Sequence, residues 1–235
     1  MLMAYCLEKD VPTFAVCRGE QVMSIVSGCT FIQDIPNYYK EQGKTYNDTH
    51  RMPADAPDRT YARHDVTINK DASKWLYKIV GSTELKNVSS WHHQAVGGVE
   101  GTNLTVVSTA TIDGVEIIEA VERQDKTFCL GVQFHPENDC KFVLYTKTPE
   151  KALCDYETCL NFFEMLVEYA GLHLTFAQPM VWQIMQLFGI QNLTLFLGVT
   201  GAALLLFAYQ GRALYEGNLT EDALAPLVEK YGLLV

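Results

Sequence analysis

The stretch Pro12-Thr-Phe-Ala-Val-Cys-Arg-Gly-Glu-Gln-Val-Met-Ser-Ile-Val-Ser-Gly28 changes its hydrophobic period part-way along. Its first half is a short, continuously apolar run between Asp10 and Arg18-Gly19, the pattern of a strand buried on both faces of a parallel sheet. Residues 20–27 have helical spacing, and Gly28 stands where a helix would end. Cys17 falls at the junction. A strand-to-helix elbow holds a sulfur clear of the sheet and at the positive end of a helix, where an anionic sulfur is stabilised. Gly19 lets the backbone come close, and the amide of Arg18 is free to point at a developing oxyanion.

Outward from this unit, residues 1–9 read as the last turns of a helix and are too short for a secretory signal. Residues 36–63 are polar and contain Pro36, Pro53 and Pro57, which predicts a long surface loop. Four β-rich segments follow, at 64–69, 104–110, 115–121 and 127–134, with Thr111-Ile-Asp-Gly114 as a hairpin signal. A helix is expected over 157–170. From Leu174 to Gly211 there is no charged residue, and 193–209 is almost continuously apolar. That run is short for a bilayer span, and Pro179 and Gly189 favour two shorter helices. Membrane association through residues 179–209 stays open beside a packed or subunit-contacting helix pair.

The 235 residues suit one domain with an appendage, taken as 1–172 and 173–235. A net charge of −10 argues against binding a nucleic-acid backbone. The seven cysteines include no Cys-x-x-Cys pair, which points to reduced thiols and a cytoplasmic setting. No metal is expected: His92 and His93 have no cysteine or carboxylate at ligand spacing and read as pocket or core residues.

A second candidate for chemistry is His135, in Gly131-Val-Gln-Phe-His-Pro-Glu137. A histidine just past a buried strand, with a carboxylate two residues on, can serve as a base with an orienting partner. Cys17 and His135 both fall at carboxyl ends of expected strands, where α/β sheets collect ligands.

Three segments in order carry a resemblance: Val16-Cys-Arg-Gly-Glu-Gln-Val-Met23, Val88-Ser-Ser-Trp-His-His-Gln-Ala-Val96 and Leu130-Gly-Val-Gln-Phe-His-Pro-Glu137. Jointly they resemble class I glutamine amidotransferase domains, most nearly the gamma-glutamyl-gamma-aminobutyrate hydrolase branch, from about residue 4 to about residue 170. The resemblance implies an α/β, flavodoxin-like, three-layer fold, here lacking its N-terminal part and carrying an extra apolar helical tail. It implies a triad of Cys17 as nucleophile, His135 as acid and base, and Glu137 as its orienter. Gln21 would help hold the glutamyl end of a substrate, with Arg18 beside it, and His92, His93 and Gln94 would line the pocket. The reaction implied is hydrolysis of a γ-glutamyl amide through a cysteine thioester, on a small-molecule substrate and without a cofactor.

Family members carry further strands before the nucleophile, including a turn that supplies a second oxyanion donor. Three readings of that difference stay open: a fragment, a short form retained for binding without catalysis, or a sheet covered by the apolar tail or a second copy in a homo-oligomer. A glutaminase feeding ammonia to a partner synthetase is a further alternative.

Overall fold

In the computed structural model, residues 2–53, 56 and 61–174 are described. Residues 179–209, and with them the expected tail, lie outside the described residues.

The chain begins with helix α1 (Leu2–Glu8), then strand β1 (Thr13–Val16) and helix α2 (Arg18–Ser27), as the change of period predicts. Gly28 ends α2 in the left-handed conformation, its N–H returning to the Ile25 carbonyl. Strand β2 (Thr30–Ile32) and helix α3 (Ile35–Glu41) come next. Strand β3 (Ala62–Ile68), helix α4 (Leu76–Val80), β4 (Glu84–Ser90) and β5 (Ala95–Gly98) follow. The hairpin β6 (Thr105–Ile112) and β7 (Val115–Glu122) turns at Asp113-Gly114, both at positive φ. Strand β8 (Cys129–Val132) leads into helix α5 (Pro136–Leu144), and α6 (Tyr156–Leu174) closes the described fold.

Helix α3 corrects the expectation of an unbroken loop over 36–63. Pro36 marks a helix start there: proline is tolerated in a first turn, and the Asp34 carboxylate accepts the Asn37 N–H at 2.8 Å. Strands β4 and β5 were not expected either. The sequence of β4, Glu-Leu-Lys-Asn-Val-Ser-Ser, is mostly polar, and it is held as an edge strand by its ladder to β3.

Six strands form one sheet in the order β1-β8-β7-β6-β3-β4, and β2 pairs with β5 separately. Only β1 and β8 run parallel; the other pairings are antiparallel. The chain is thus α/β, but the expected flavodoxin-like parallel sheet is represented among the described residues by one pair. The reason is local. The β6–β7 and β7–β8 connections are short and can close only antiparallel pairs, whereas β1 and β8 are joined by a long excursion.

The sheet is covered on both faces. Phe14, Leu130, Val132 and Phe134 pack toward Phe162, Met165 and Leu166 of α6 and toward Trp75, Leu76 and Ile79. Phe14 stacks on Phe162 at 5.5 Å between ring centroids. On the other face Ala15, Val121 and Cys129 meet Leu7 and Met23. Beside β1, at the edge of the sheet, Leu2, Tyr5, Val22, Ile25 and Val26 of α1 and α2 are exposed. No helix among the described residues is long and apolar enough to cross a membrane.

Helix α2 presses unusually close to β8. A Cβ on Gly131 would lie 2.6 Å from Met23 Cε and 2.7 Å from Glu20 Cγ. Gly131→Ala should therefore push α2 outward and lower stability by about 1–3 kcal/mol, read from the urea midpoint at unchanged slope.

Candidate active site

Cys17 occupies the single residue between β1 and α2, with φ 48° and ψ −102°. Its N–H continues the sheet ladder onto the Val132 carbonyl at 2.8 Å, and its own carbonyl accepts the first helical bond, from Gln21, at 3.0 Å. A non-glycine residue at positive φ is a strained conformation of the kind found where a side chain must be presented sharply. The Arg18 N–H is one of the first-turn donors that have no acceptor inside the helix. Gly19 is not where space is short: a Cβ there would meet only Ala15 Cβ, at 3.5 Å. The tight approach falls at Gly131 instead.

His135 sits just beyond β8, at the start of α5. Its N–H donates to the Ser89 carbonyl at 2.7 Å, and its ring Nδ1 meets Glu137 Oε1 at 2.6 Å. Cys17 is close enough to act on the ring electrostatically. Burial alone would push the imidazole toward its neutral form, but the contacts and charge of Cys17 and Glu137 outweigh it and push its pKa up to about 10. Cys17 is therefore brought beside the hydrogen-bonded pair His135 and Glu137, more than a hundred residues further along the chain.

The N-terminus of α5 is fixed by a buried carboxylate. Asp139 accepts from Arg63 Nη1 at 2.8 Å, from Ser89 Oγ at 2.7 Å and from the backbone of Leu153 at 3.0 Å. Asn138 donates to the same Ser89 hydroxyl at 2.9 Å. The histidine is thus anchored through β4, a strand that the hydrophobic pattern did not mark.

The wall of the site is the segment between β4 and β5. Cys17 Sγ lies 4.0 Å from the Trp91 carbonyl. Tyr61 packs edge-on against His135 at 5.0 Å and against Trp91 at 6.0 Å, and the Arg51 guanidinium lies over the Trp91 ring at 5.5 Å. Tyr61 and Arg51 were missed by sequence reasoning, because both come from the polar stretch read as a loop. Gln21 is buried and spends its amide on the protein, donating to the Gln94 carbonyl at 3.1 Å and to Gln133 Oε1 at 2.9 Å. Arg18 is exposed at the mouth of the elbow. His93 is exposed and contacts Arg51 at 3.0 Å, while Gln94 donates to Gln33 at 2.9 Å. His92 turns the other way, into the interior. A groove of about 670 Å³ lined by Leu85, Val143, Leu153 and Tyr156 contains none of these residues.

Behind the wall lies a second polar group. Glu119 of β7 is fully buried, with His50 Nδ1 and His64 Nε2 each 3.2 Å from its Oε1 and His92 Nε2 at 3.6 Å. Burial alone would favour a protonated Glu119, but the charge of His64 and the three imidazole contacts hold it well below the carboxylate range. Burial and the Glu119 charge push Glu20 up to about 8, and burial pushes His50 down to about 4. For His64 burial works against the proton, yet the Glu119 charge leaves its pKa raised.

The sequence profile of the peptidase C26 family matches residues 1–137, more than half of the chain. The chain belongs to the peptidase C26 family. It is 32% identical over 164 residues to a glutamine amidotransferase-like protein of Rickettsia prowazekii, covering 58% of this chain and 57% of that one. It is 35% identical over 138 residues to the protein NtpR of Enterococcus hirae, covering 58% of this chain and 51% of the relative. The chain thus spans little more than half the length of these curated relatives. Among solved structures, a glutamine amidotransferase from Thermotoga maritima is 16% identical with a TM-score of 0.46, covering 72% of this chain and 66% of that one.

The raised pKa of this peptidase C26 histidine gives a signed pH dependence. Its contribution to stability is complete below about pH 6.5 and lost as the pH rises through about 10. The stability difference between the protein and His135→Gln, measured by denaturant unfolding, should shrink across that window and stay flat below it.

Proposed function

We propose that the chain is a cysteine hydrolase of γ-glutamyl amides, with γ-glutamyl-GABA-like compounds as substrates. The observation that carries the reading is Cys17, held at positive φ on the strand-to-helix elbow beside a histidine that Glu137 holds through Nδ1. Family membership supports it, as do relatives described as glutamine amidotransferase-like.

In this mechanism the Cys17 sulfur attacks the γ-carbonyl carbon, and the Arg18 N–H accommodates the oxyanion at the positive end of α2. His135 gives its proton to the departing amine as the C–N bond breaks, leaving a γ-glutamyl thioester on Cys17. A water molecule then surrenders a proton to His135 and attacks the thioester, releasing glutamate and the thiol. Glu137 keeps the ring oriented and stabilises its protonated form throughout. His93, Gln94 and Trp91 form the side of the pocket facing the departing amine, and Gln21 acts by holding the Gln94 carbonyl in place.

Glutamate release from γ-glutamyl-GABA and from glutamine, by the purified chain, tests this. Cys17→Ala should abolish release, a fall of about 10⁴–10⁶-fold, and Glu137→Gln should lower it by roughly 10²–10⁴-fold with little change in KM. A preference for γ-glutamyl-GABA over glutamine supports the hydrolase, and the reverse preference would instead indicate a glutaminase. No release from a folded chain would leave a binding role.

A further inference from the structure

The buried group behind the wall has a composition that the proposed hydrolysis does not use. His50 and Glu119 have fully buried side chains, and that of His92 is 1% exposed. One ligand atom from each can be chosen so that all three lie within 4.8 Å of one another. Neither carboxylate oxygen of Glu119, neither ring nitrogen of His50, and not His92 Nε2 makes a hydrogen bond among the described residues. These are close approaches without hydrogen-bond alignment, as expected of lone pairs that converge on a point between them.

The distances fit an ion at that point. Zinc bonds of about 2.0–2.2 Å in tetrahedral array place neighbouring ligand atoms roughly 3.3–3.6 Å apart. Here His50 Nδ1 and His92 Nε2 lie 3.2 Å and 3.6 Å from Glu119 Oε1. The outer contacts fit as well. His92 Nδ1 faces the Gln94 carbonyl at 2.9 Å, and a carbonyl only accepts, so that nitrogen carries the hydrogen and Nε2 keeps its lone pair. Histidine ligands are commonly oriented in this way, by a backbone carbonyl on the other nitrogen. His64 Nδ1 faces the Thr49 carbonyl at 3.0 Å, and its Nε2, also without a hydrogen bond, lies 3.2 Å from the same Glu119 oxygen.

We propose that His50, His92 and Glu119 bind one divalent transition-metal ion of the zinc class, with His64 packed beside the Glu119 carboxylate. Two imidazoles and a carboxylate suit zinc better than calcium or magnesium, which take oxygen donors. The role is structural, since the ligands are shielded from solvent. The ion ties the segments around His50 and His92, which carry Arg51 and Trp91 of the site wall, to β7. The sequence offered no metal pattern because the ligands stand at 50, 92 and 119, on two irregular segments and one strand.

The test uses the full chain, stripped with a chelator, loaded with Zn²⁺ or Co²⁺ and desalted. Elemental analysis should find one ion per chain, and Zn²⁺ should raise the thermal midpoint. The Co²⁺ form should show ligand-field bands without thiolate-to-cobalt charge transfer, which separates this site from one built on Cys17 or another cysteine. His50→Ala, His92→Ala and Glu119→Gln should each lose the ion, and His93→Ala should retain it. Where a variant fails to fold, the cobalt spectrum of the unaltered chain still decides. A folded chain that takes up no Zn²⁺ or Co²⁺, thiolate charge-transfer bands, or an ion retained in the His50→Ala/His92→Ala double variant would overturn the proposal.

Discussion

Strand β1 lies parallel to β8 with Val16 opposite Val132, and the Cys17 N–H extends that ladder onto the Val132 carbonyl. Parallel strands end at the same side of a sheet, so the residues just beyond their carboxyl ends come into reach of each other whatever their separation in sequence. Three residues past Val132 the chain reaches His135, and one past Val16 it reaches Cys17. A one-residue slip would turn the alternating side chains of β1 to the opposite faces, putting Phe14 against α2 and Ala15 against Phe162. The two unequal faces of the sheet hold the register, and the register holds Cys17 beside His135.

The elbow also depends on what is absent from β8. Gly131 lets Glu20 and Met23 lie directly on the strand, which brings the first turn of α2 down onto the sheet. Glu20 thereby becomes a fully buried carboxyl near a second one, Glu119. Two buried carboxylates cannot both be ionised cheaply, and their environments separate them: Glu20, offered only a Ser24 hydroxyl at 3.5 Å, is driven toward its protonated form, while Glu119, ringed by imidazoles, keeps its charge.

Much of this was legible in the sequence where one short segment carried the whole signal. The β1–α2 unit, the β6–β7 hairpin and α6 each have an unbroken period or a turn pair. Cys17, His135 and Glu137 could be named because both catalytic candidates sit at the ends of such segments. What stayed hidden depends on pairing partners. Strand β4 has too little apolar alternation to be seen without β3 beside it, yet its Ser89 anchors both His135 and Asn138. Pro36 reads as a loop signal when taken alone, but proline is also favoured in a helix's first turn, where it stands in α3. His92 and His93 are adjacent in sequence and opposite in fate, one sealed inside and one facing Arg51. No local rule separates them, because the difference is set by the position of Glu119, on a strand reached only after the chain has crossed the sheet.

That separation links the two polar centres. His92 Nδ1 and the Gln21 amide both donate to the Gln94 carbonyl, one from the buried cluster and one from α2. Gln21 also donates to Gln133, on the strand that leads to His135, and the Gln133 N–H donates to the Glu119 carbonyl at 2.8 Å. A set of buried bonds thus links α2 to the wall at Gln94 and to the residue past β8 at Gln133. Its members cannot turn individually without leaving a buried donor or acceptor unpaired, at a cost of about 1–3 kcal/mol each. The Gln94 carbonyl, shared by His92 and Gln21, is thus the point at which the interior cluster and the wall of the candidate active site meet.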